Sequence, residues 1–201
     1  MSEIQKPFSQ TCENNKVPIL VQLSKIFSET KNVLEIGSGT GQHAVYFSEH
    51  LPHTNWHPTD REENIPGIQI WMSDANLLNL QPPNCLDVSE QPWPISKMDG
   101  VFSANTAHIM SWQLVKRMFM GVGDCLLPRG HFCLYGPFNY HGGYTSDSNA
   151  RFDVWLKQQD SLSGIRDIEA INKLASNVGL DMSEDIEMPA NNRMLVWRKI
   201  D

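Results

Sequence analysis

Apolar and polar positions alternate along this chain in two rhythms, one typical of helices and one typical of strands. Residues 16–28, KVPILVQLSKIFS, have the spacing of an amphipathic helix with Pro18 in its first turn. Residues 32–36, NVLEI, form a short apolar run that ends at glycines, which predicts a buried strand. Residues 41–50 favour a helix that Pro52 ends.

The remaining elements continue this alternation. Further strands are predicted at residues 54–59, 84–88, 99–104 and 131–136, and further helices at 62–73, 111–126, 149–160 and 167–178. Pro58 weakens the first of these strands, and Pro66 and Gly67 interrupt the first of these helices. Ser111 is a candidate N-cap, and residues 127–130, LPRG, are predicted to form a turn.

The order of these elements predicts an α/β fold. Strands that alternate with helices indicate a mostly parallel sheet with helices on both faces. Residues 181–187 and 193–199 flank the sequence PANN, which indicates a terminal hairpin that adds antiparallel strands. We expect one domain over residues 1–201, with ligands bound beyond the carboxyl ends of the parallel strands.

Composition and charge narrow the possible partners. The chain has 201 residues, of which 40% are hydrophobic and 19% charged, an ordinary balance for a globular protein. The formal net charge of −7 disfavours nucleic acid as a partner, because an acidic chain repels phosphate backbones. Residues 1–15 lack the apolar segment of a signal peptide, and no apolar stretch approaches the roughly 18–20 residues that span a bilayer. We therefore expect a cytoplasmic protein with no membrane partner, either a monomer or a homodimer.

The cysteines do not have the spacing of a metal site. Cys12, Cys85, Cys125 and Cys133 include no CxxC pair and no Cys/His cluster with zinc spacing. We expect reduced thiols and no bound metal.

Residues 33–44, VLEIGSGTGQHA, place three glycines between a predicted strand and a predicted helix. Glycines there permit positive φ and a close approach of the backbone to a ligand, and the amides at a helix start favour an anionic or electron-rich group. A dinucleotide fingerprint is disfavoured because Gln42 stands where its third small residue is expected, and the GK[ST] of a P-loop is missing. The pattern resembles the first motif of class I S-adenosylmethionine-dependent methyltransferases; a connector without a ligand is the alternative. The resemblance implies cofactor contacts by Glu35, Gly37, Ser38, Gly39, Thr40 and Gly41.

Two aspartates fit the same interpretation. Asp60 follows Gly37 by 23 positions, near the offset of about 20 residues expected for a carboxylate that accepts from both ribose hydroxyls. Asp87 ends the third predicted strand, where the methyltransferase family commonly contacts the adenine amino group. Arg61 and Val88, their neighbours, complete the predicted cofactor contacts. The alternative is that each aspartate is a solvated loop residue.

The resemblance extends along nearly the whole chain. The segments that carry it are CENNKVPIL at 12–20, ANTAHIMSW at 104–112, LYGPF at 134–138, TSDSNARFD at 145–153, GIRDIEAI at 164–171 and MPANNRMLVWR at 188–198. Together they resemble a branch of class I methyltransferases that includes the methyltransferase-like protein 26 group and its bacterial relatives, a domain family of unknown function. The resemblance implies a Rossmann-like, seven-stranded fold that binds S-adenosylmethionine (SAM) and releases S-adenosylhomocysteine (SAH), with residues 1–30 as an N-terminal lid region. One departure is the stretch 62–83, which looks short and irregular for the helix expected after Asp60.

The loop after the fourth predicted strand, NTAHI, is the expected position of the reacting groups. His108 is the candidate general base, since an unperturbed imidazole has a pKa near 6.5. Asn105 is the candidate for orienting the acceptor or holding the amino acid part of the cofactor. The alternative is that His108 packs or caps the loop. His43 and His141 are weaker candidates, one inside the cofactor helix and the other on a Gly-rich loop.

Residues near the predicted strand ends and the lid helix are candidates for the acceptor pocket. They are Asn15, Trp112, Tyr135 and Phe138. Core packing is the alternative for the aromatic residues.

Three hypotheses about function remain open, and these observations favour them to different degrees. The first is a SAM-dependent methyltransferase that acts on a small molecule. The second is a non-catalytic SAM-binding protein with a regulatory or scaffold role. The third, a nicotinamide-dependent oxidoreductase, is disfavoured by Gln42.

Overall fold

The computed structural model describes residues 5–201 as helices packed against both faces of a twisted sheet. The strands are β1 (Asn32–Ile36), β2 (Asn55–Asp60), β3 (Asn84–Cys85), β4 (Met98–Ala104), β5 (Leu126–Gly136), β6 (Phe138–Asn139), β7 (Arg166–Asp167), β8 (Leu180–Met188) and β9 (Asn192–Lys199). The helices are α1 (Gln10–Ile26), α2 (Gln42–His50), α3 (Ile65–Ala75), α4 (Trp112–Cys125), α5 (Asp147–Gln159) and α6 (Ile168–Asn177), with 3₁₀ turns at Glu62–Asn64 and Pro189–Asn191.

The sheet confirms the predicted fold class. Within residues 5–201 it has seven strands in the order β3-β2-β1-β4-β5-β9-β8, and β6 and β7 form a separate short pair. β1, β2, β3, β4 and β5 are parallel, and the hairpin β8–β9 joins β5 in antiparallel register. The strand order reverses between β1 and β4, so the carboxyl ends of these two strands border the crevice where open α/β sheets bind ligands.

Two hydrophobic cores hold the helices on the sheet, one on each face. On one face, Leu23 of α1 and Phe47 of α2 pack with Trp56 and Phe102. The residues at the centre of the other core are Val115, Phe119, Phe132, Ile171 and Trp197, from α4, β5, α6 and β9. Because neighbouring strand residues point to opposite faces, each central strand contributes to both cores.

The first helix differs most from the prediction. α1 begins at Gln10, six residues before the predicted start, and the Ser9 side chain caps it by accepting from the Cys12 amide at 3.4 Å. Pro18 therefore lies inside the helix, and its predicted position in the first turn is wrong. The first turns are polar and are held by polar contacts to α2, which an apolar periodicity cannot reveal.

The region after Asp60 is more regular than predicted. α3 runs without interruption, because Pro66 occupies its first turn, where a missing N–H costs nothing. Gly67 admits a close neighbour, since a Cβ atom there would lie 2.8 Å from Cγ of Pro7. Pro58 lies within β2, two residues after Trp56, so its backbone nitrogen faces the same side of the strand as the Trp56 amide. The Trp56 amide donates to the Asn79 carbonyl and not to β1, so Pro58 removes no donor from the side that pairs with β1. The ladder to β1 is therefore intact.

Other boundaries moved for local reasons. β3 has two residues instead of five, so Asp87 lies two positions beyond its end. β5 already starts at Leu126, and residues 127–130 form an irregularity inside it rather than a separate turn. Arg129 has a φ of +69° at this irregularity. The pair β6–β7 was not predicted, because two-residue strands carry no periodic signal.

Candidate cofactor and acceptor site

The glycine loop leaves β1 and bends back to start α2. Gly37, Gly39 and Gly41 all have positive φ, at +75°, +56° and +88°. The amides of Gly37 and Ser38 both donate to the Thr59 carbonyl, at 3.0 and 2.9 Å, which ties the loop to the end of β2. The Ser38 hydroxyl also accepts from the Thr59 amide at 3.2 Å.

The three glycines are needed for different reasons. A Cβ atom on Gly37 would lie 2.6 Å from Cγ2 of Thr106, and one on Gly41 would lie 3.0 Å from Cα of Ile68. Both positions therefore serve internal packing. Gly39 is exposed, and no heavy atom of residues 5–201 beyond its chain neighbours would lie within 4 Å of its Cβ. Gly39 is the point where the loop backbone borders free space that a ligand can fill.

Asp60 lies beside Gly39 at the carboxyl end of β2. Its Oδ2 accepts from the Gly39 amide at 2.6 Å, and its Oδ1 accepts from the Arg61 amide and from Nδ2 of Asn64, both at 2.8 Å. The carboxylate is thus held in one orientation, and of its roughly four lone-pair sites one, on Oδ2, remains for a further donor. The Arg61 side chain is exposed and pairs with Glu63 at 2.9 Å.

Glu35 is buried in β1, next to this loop. It is 2% exposed, and its Oε2 accepts from Nε1 of Trp56 at 2.9 Å. Burial raises the pKa of Glu35 to about 7, the Asp60 charge adds to the shift, and hydrogen bonds from Trp56 and Ser38 oppose it. Direct contact between Glu35 and a cofactor stays a prediction.

Asp87 and Val88 follow β3 at the neighbouring strand end. The Leu86 amide donates to the Asp60 carbonyl at 2.8 Å, which brings this segment next to Asp60. Oδ1 of Asp87 accepts from the Ser89 amide at 2.8 Å, and hydrogen bonds from Ser89 lower the pKa of the Asp87 carboxyl. Val88 is half-buried against the core that contains α4. Adenine contact by Asp87 and Val88 stays a prediction.

Gln42 connects α1 to the glycine loop. Its Oε1 accepts from the Ser9 amide at 2.6 Å and from the Thr40 hydroxyl at 3.0 Å. Its Nε2 donates to Oε1 of Glu13 at 2.7 Å and to the Ser9 carbonyl at 3.3 Å. Gln42, whose position disfavours a dinucleotide fingerprint, therefore holds the start of α1 to the glycine loop, a role that the sequence did not indicate.

Asn15 and His43 form the next contact between α1 and α2. Nε2 of His43 lies 2.7 Å from Oδ1 of Asn15, and both side chains are buried. The His43 ring stacks on Phe47, and burial lowers the pKa of His43 to about 4. His43 is thus part of the packing between the two helices. A contact of Asn15 with an acceptor stays a prediction.

Asn105, which is predicted to orient the acceptor or hold the cofactor, directly follows β4. Asn105 has a φ of +59°, and its amide donates to the Tyr135 carbonyl at 2.9 Å. A Cβ atom on Gly136 would lie 3.6 Å from Nδ1 of His108 and 3.9 Å from Oδ1 of Asn105. The two predicted catalytic side chains therefore meet at the end of β5.

The environment of His108 differs from the expected one. The ring is 6% exposed and lies edge-on to Phe152, with centroids 5.3 Å apart. Burial lowers the pKa of His108 to about 4, and the Arg166 charge adds to the shift. The imidazole is therefore neutral at pH 7, and it is a weaker base than an imidazole with the ordinary pKa near 6.5.

Arg166 is a residue that the sequence analysis missed. Its Nε donates to the Ala107 carbonyl at 3.1 Å, and its Nη2 donates to the carbonyls of Met110 and Leu162. It thereby fixes the loop that carries His108 to the segment before α6. The carbonyls of Ala107 and Met110 lie more than 50 positions away in the sequence, so these contacts of Arg166 have no local sequence signal.

The aromatic residues predicted for the acceptor pocket range from buried to half-buried. Phe138 is 1% exposed and belongs to the core that contains α4, and its contact with an acceptor stays a prediction. Tyr135 is also buried. Burial raises its pKa, and hydrogen bonds with the side chains of Asn15 and Asn192 oppose this shift. The ring centre of Trp112, which is half-buried, lies 5.9 Å from the guanidinium carbon of Arg166.

His141, the other weaker candidate for a general base, is exposed on its loop, where its Nδ1 lies 3.1 Å from Oε1 of Glu169.

Residues 5–201 contain no group of three or more His, Cys, Asp or Glu side chains arranged to hold a metal ion. In the same range, no helix is long and apolar enough to cross a membrane.

The seven-stranded, mostly parallel sheet with its antiparallel terminal hairpin matches the Rossmann-like fold of solved methyltransferases. The chain belongs to the family described as Protein of unknown function (DUF938), whose profile matches residues 6–199.

Solved structures of similar fold carry the names of methyltransferases. An O-methyltransferase family protein from Burkholderia thailandensis superposes with a TM-score of 0.80 at 11% identity, covering 92% of this chain and 56% of its own. An O-methyltransferase family 2 protein from Planctomyces limnophilus, in complex with apigenin, has a TM-score of 0.80 at 14% identity and covers 94% and 58%. Human N-acetylserotonin methyltransferase, in complex with SAM, has a TM-score of 0.75 at 14% identity and covers 96% and 53%. The chain spans a little more than half the length of these proteins, and identities this low establish the fold alone.

Proposed function

We propose that this protein is a SAM-dependent methyltransferase that transfers a methyl group to a small-molecule acceptor. The glycine loop, Asp60 at the end of β2, Asp87 after β3 and the polar loop after β4 all follow parallel strands, so they lie at the carboxyl edge of the sheet. The methyltransferases of similar fold, one of them solved with SAM and one with apigenin, support the same assignment.

The observation that carries this proposal is the free space at Gly39. The neighbouring glycines are required by contacts with Thr106 and Ile68, whereas no described residue fills the space at Gly39. Asp60 accepts a hydrogen bond from the Gly39 amide, so an acceptor-only side chain borders the same space. A ligand with hydroxyl donors, such as a ribose, fits this combination.

The residues of the crevice have separate tasks in this proposal. SAM, when bound, supplies a methyl group on a positively charged sulfur. Asp60 orients the cofactor by accepting from a ribose hydroxyl at the site on Oδ2 that its three hydrogen bonds leave free, and Asp87 accepts from the adenine amino group. Asn105 and the neutral His108 orient the acceptor, because both can exchange hydrogen bonds with an amine or a hydroxyl group. Where the molecule that receives the methyl group must lose a proton, His108 takes up that proton at Nδ1 or Nε2.

The test is binding followed by transfer. Calorimetry with SAM, SAH and NAD⁺ should give binding of the first two and none of the third. Purified protein should then move labelled methyl from SAM to a metabolite in a small-molecule extract. Tight SAH binding without transfer to any extract fraction would favour a non-catalytic SAM-binding protein, which the methyltransferase neighbours do not favour. Binding of NAD⁺ without SAH would overturn the proposal.

Further properties belong to the same proposal. The residues quoted from CENNKVPIL to MPANNRMLVWR support kinship with the methyltransferase-like protein 26 group. We also propose a single domain over residues 1–201 that works in the cytoplasm, as a monomer or homodimer, without a metal. The net charge of −7 supports a small acceptor rather than a nucleic acid.

A further inference from the structure

Arg166 of β7 is a half-buried cation that is attached to the loop after β4. Its Nε donates to the Ala107 carbonyl at 3.1 Å, and its Nη2 donates to the carbonyls of Met110 and Leu162. All three partners are neutral. Because a guanidinium stays charged inside proteins, these hydrogen bonds satisfy donors of Arg166 without cancelling its charge.

The carboxylates near Arg166 do not balance this charge. Within residues 5–201, no carboxylate oxygen lies within ion-pair distance of its guanidinium. Burial lowers the pKa of Arg166, and the Asp153 charge opposes this shift only in part. Asp153 is itself bound by Nζ of Lys157 at 2.5 Å, and Asp167, the residue after Arg166, points to the opposite side of β7. One positive charge is therefore left over beside the loop.

The charge of Arg166 acts on His108, a residue of the proposed acceptor site. Nε of Arg166 holds the carbonyl of Ala107, directly before His108, and the Gly164 amide donates to the His108 carbonyl at 2.8 Å. Burial, and in second place the Arg166 charge, lower the pKa of His108 to about 4. The field that disfavours a protonated imidazole there favours a negative charge on a ligand at the same place.

We propose that Arg166 selects an acidic acceptor, one whose reacting oxygen or sulfur binds as an anion, such as a phenolate, a thiolate or a carboxylate. This inference rests on the proposed function, because it assumes that the acceptor reacts beside His108. An amine, which carries a positive charge when protonated, is disfavoured by the same field. Arg166 acts through space and needs no direct contact with the acceptor.

An ionised acceptor does not need a strong base. Its electron pair forms the bond to the methyl carbon, while the bond between that carbon and sulfur breaks and leaves its electron pair on sulfur. The negative charge of the acceptor and the positive charge of sulfur cancel, and no proton has to be taken up. The weak basicity of His108 fits this step, since a neutral imidazole can still orient the acceptor by a hydrogen bond.

The direct test uses 4-nitrophenol, whose anion absorbs visible light and whose neutral form does not. Wild-type protein saturated with SAH should bind the anion about tenfold more tightly than the neutral form, the effect of one unit charge about 10 Å away at an effective dielectric constant of about 20. The visible absorbance of the probe, at a pH where both forms are present, should therefore rise when protein is added. An unchanged or falling absorbance, or failure of both forms to bind, would overturn the inference.

Two variants separate the charge of Arg166 from its shape. Arg166→Gln removes the charge and should abolish the preference for the anion, whereas Arg166→Lys keeps the charge and should retain most of the preference. Arg151→Gln is the matched control, because Arg151 is exposed on α5 and its loss removes the same charge from solvent. Loss of the preference in folded Arg166→Lys protein, judged by normal SAH binding, would show that Arg166 only shapes the loop. This comparison holds even if Arg166→Gln does not fold.

The methyl-transfer assay adds an independent test and separates this inference from the proposed function. The labelled product should form only from the part of a small-molecule extract that an anion exchanger retains at about pH 11, where phenols and thiols are ionised. Transfer only to the unretained part, which contains the amines, would overturn the acidic acceptor and still support a methyltransferase. Failure of SAH to bind the wild-type protein would instead overturn the proposed function.

Discussion

The backbone amide of Gly39 donates to Oδ2 of Asp60 at 2.6 Å, which joins the cofactor loop to the end of the neighbouring strand. This bond fixes the two groups that we assign to the ribose end of the cofactor. Their separate contributions can be measured by substitution.

Gly39→Val should abolish binding of SAM and SAH in calorimetry. The added side chain enters the space next to Asp60, which no described residue fills. Gly142→Val is the matched control, because Gly142 also has a positive φ, +73°, and no described neighbour within 4 Å of its Cβ. Both variants place a valine at a positive φ, so the difference in SAM affinity between them reports the ligand. Normal SAM affinity in folded Gly39→Val protein would show that the loop is a connector.

Asp60→Ala should weaken SAM binding by about 1.5–3 kcal/mol, the range for hydrogen bonds to a charged group. Asp60→Asn should lose somewhat less, because one carbonyl oxygen remains. Glu63→Gln, an exposed carboxylate three residues away, should leave the dissociation constant unchanged. Unchanged affinity in both Asp60 variants would make Asp60 a loop-forming residue only.

His108→Ala should keep SAM affinity and lose most turnover once an acceptor is known, by about 10²–10⁴-fold if the imidazole moves the proton. The low pKa of His108, about 4, changes the expected pH profile. The wild-type rate should stay flat from pH 8 to pH 5 with respect to this group and fall only as the pH approaches 4. His108→Gln separates the roles, because it restores hydrogen bonding but not basicity. Wild-type turnover in His108→Ala would leave the residue as a packing group of the loop.

His43 should make the protein less stable in mild acid. Its folded pKa of about 4 lies below the ordinary value of 6.5, so the unfolded chain binds a proton first. Its contribution to the free energy of unfolding is complete above pH 6.5 and is lost, by about 1.4 kcal/mol per pH unit, as the pH falls towards 4. Denaturant unfolding of wild-type and His43→Gln protein at pH 7 and pH 5 measures this slope. The difference between the two proteins should shrink at pH 5, and a constant difference would contradict the buried neutral imidazole.

Glu35 should make the protein less stable as the pH rises, which is the opposite of the effect of His43. Its folded pKa of about 7 lies above the ordinary value of 4.5, so its neutral form is favoured in the folded protein. The stability that it contributes is complete below pH 4.5 and is lost as the pH rises through 7. Glu35→Gln keeps an acceptor for Trp56 and cannot ionise, so it should gain stability relative to wild type between pH 5 and pH 8. A variant that loses stability relative to wild type over this range would show that the carboxyl is ionised throughout.

The parts of the fold that the sequence could predict are those with a local signal. The apolar run NVLEI before three glycines predicted β1 and its loop, and PANN between two alternating segments predicted the hairpin β8–β9. The first turns of α1 lacked such a signal, because their partner, Gln42, lies 33 positions from Ser9. The His108 pKa could not be predicted either, since it depends on Phe152 and Arg166, which only the tertiary structure brings to the ring.

Gly37 touches Thr106 so closely that a single added carbon would overlap it. Thr106 lies between Asn105 and Ala107, two positions before His108, in the segment that we assign to the acceptor. Because protein interiors resist compression, neither segment can shift by more than a few tenths of an ångström without moving the other. In the proposed reaction, the spacing between the glycine loop and the acceptor segment is therefore set by contact of the buried Thr106 side chain with the Gly37 backbone. A fixed spacing of this kind is the condition for two reactants to be held at attack distance.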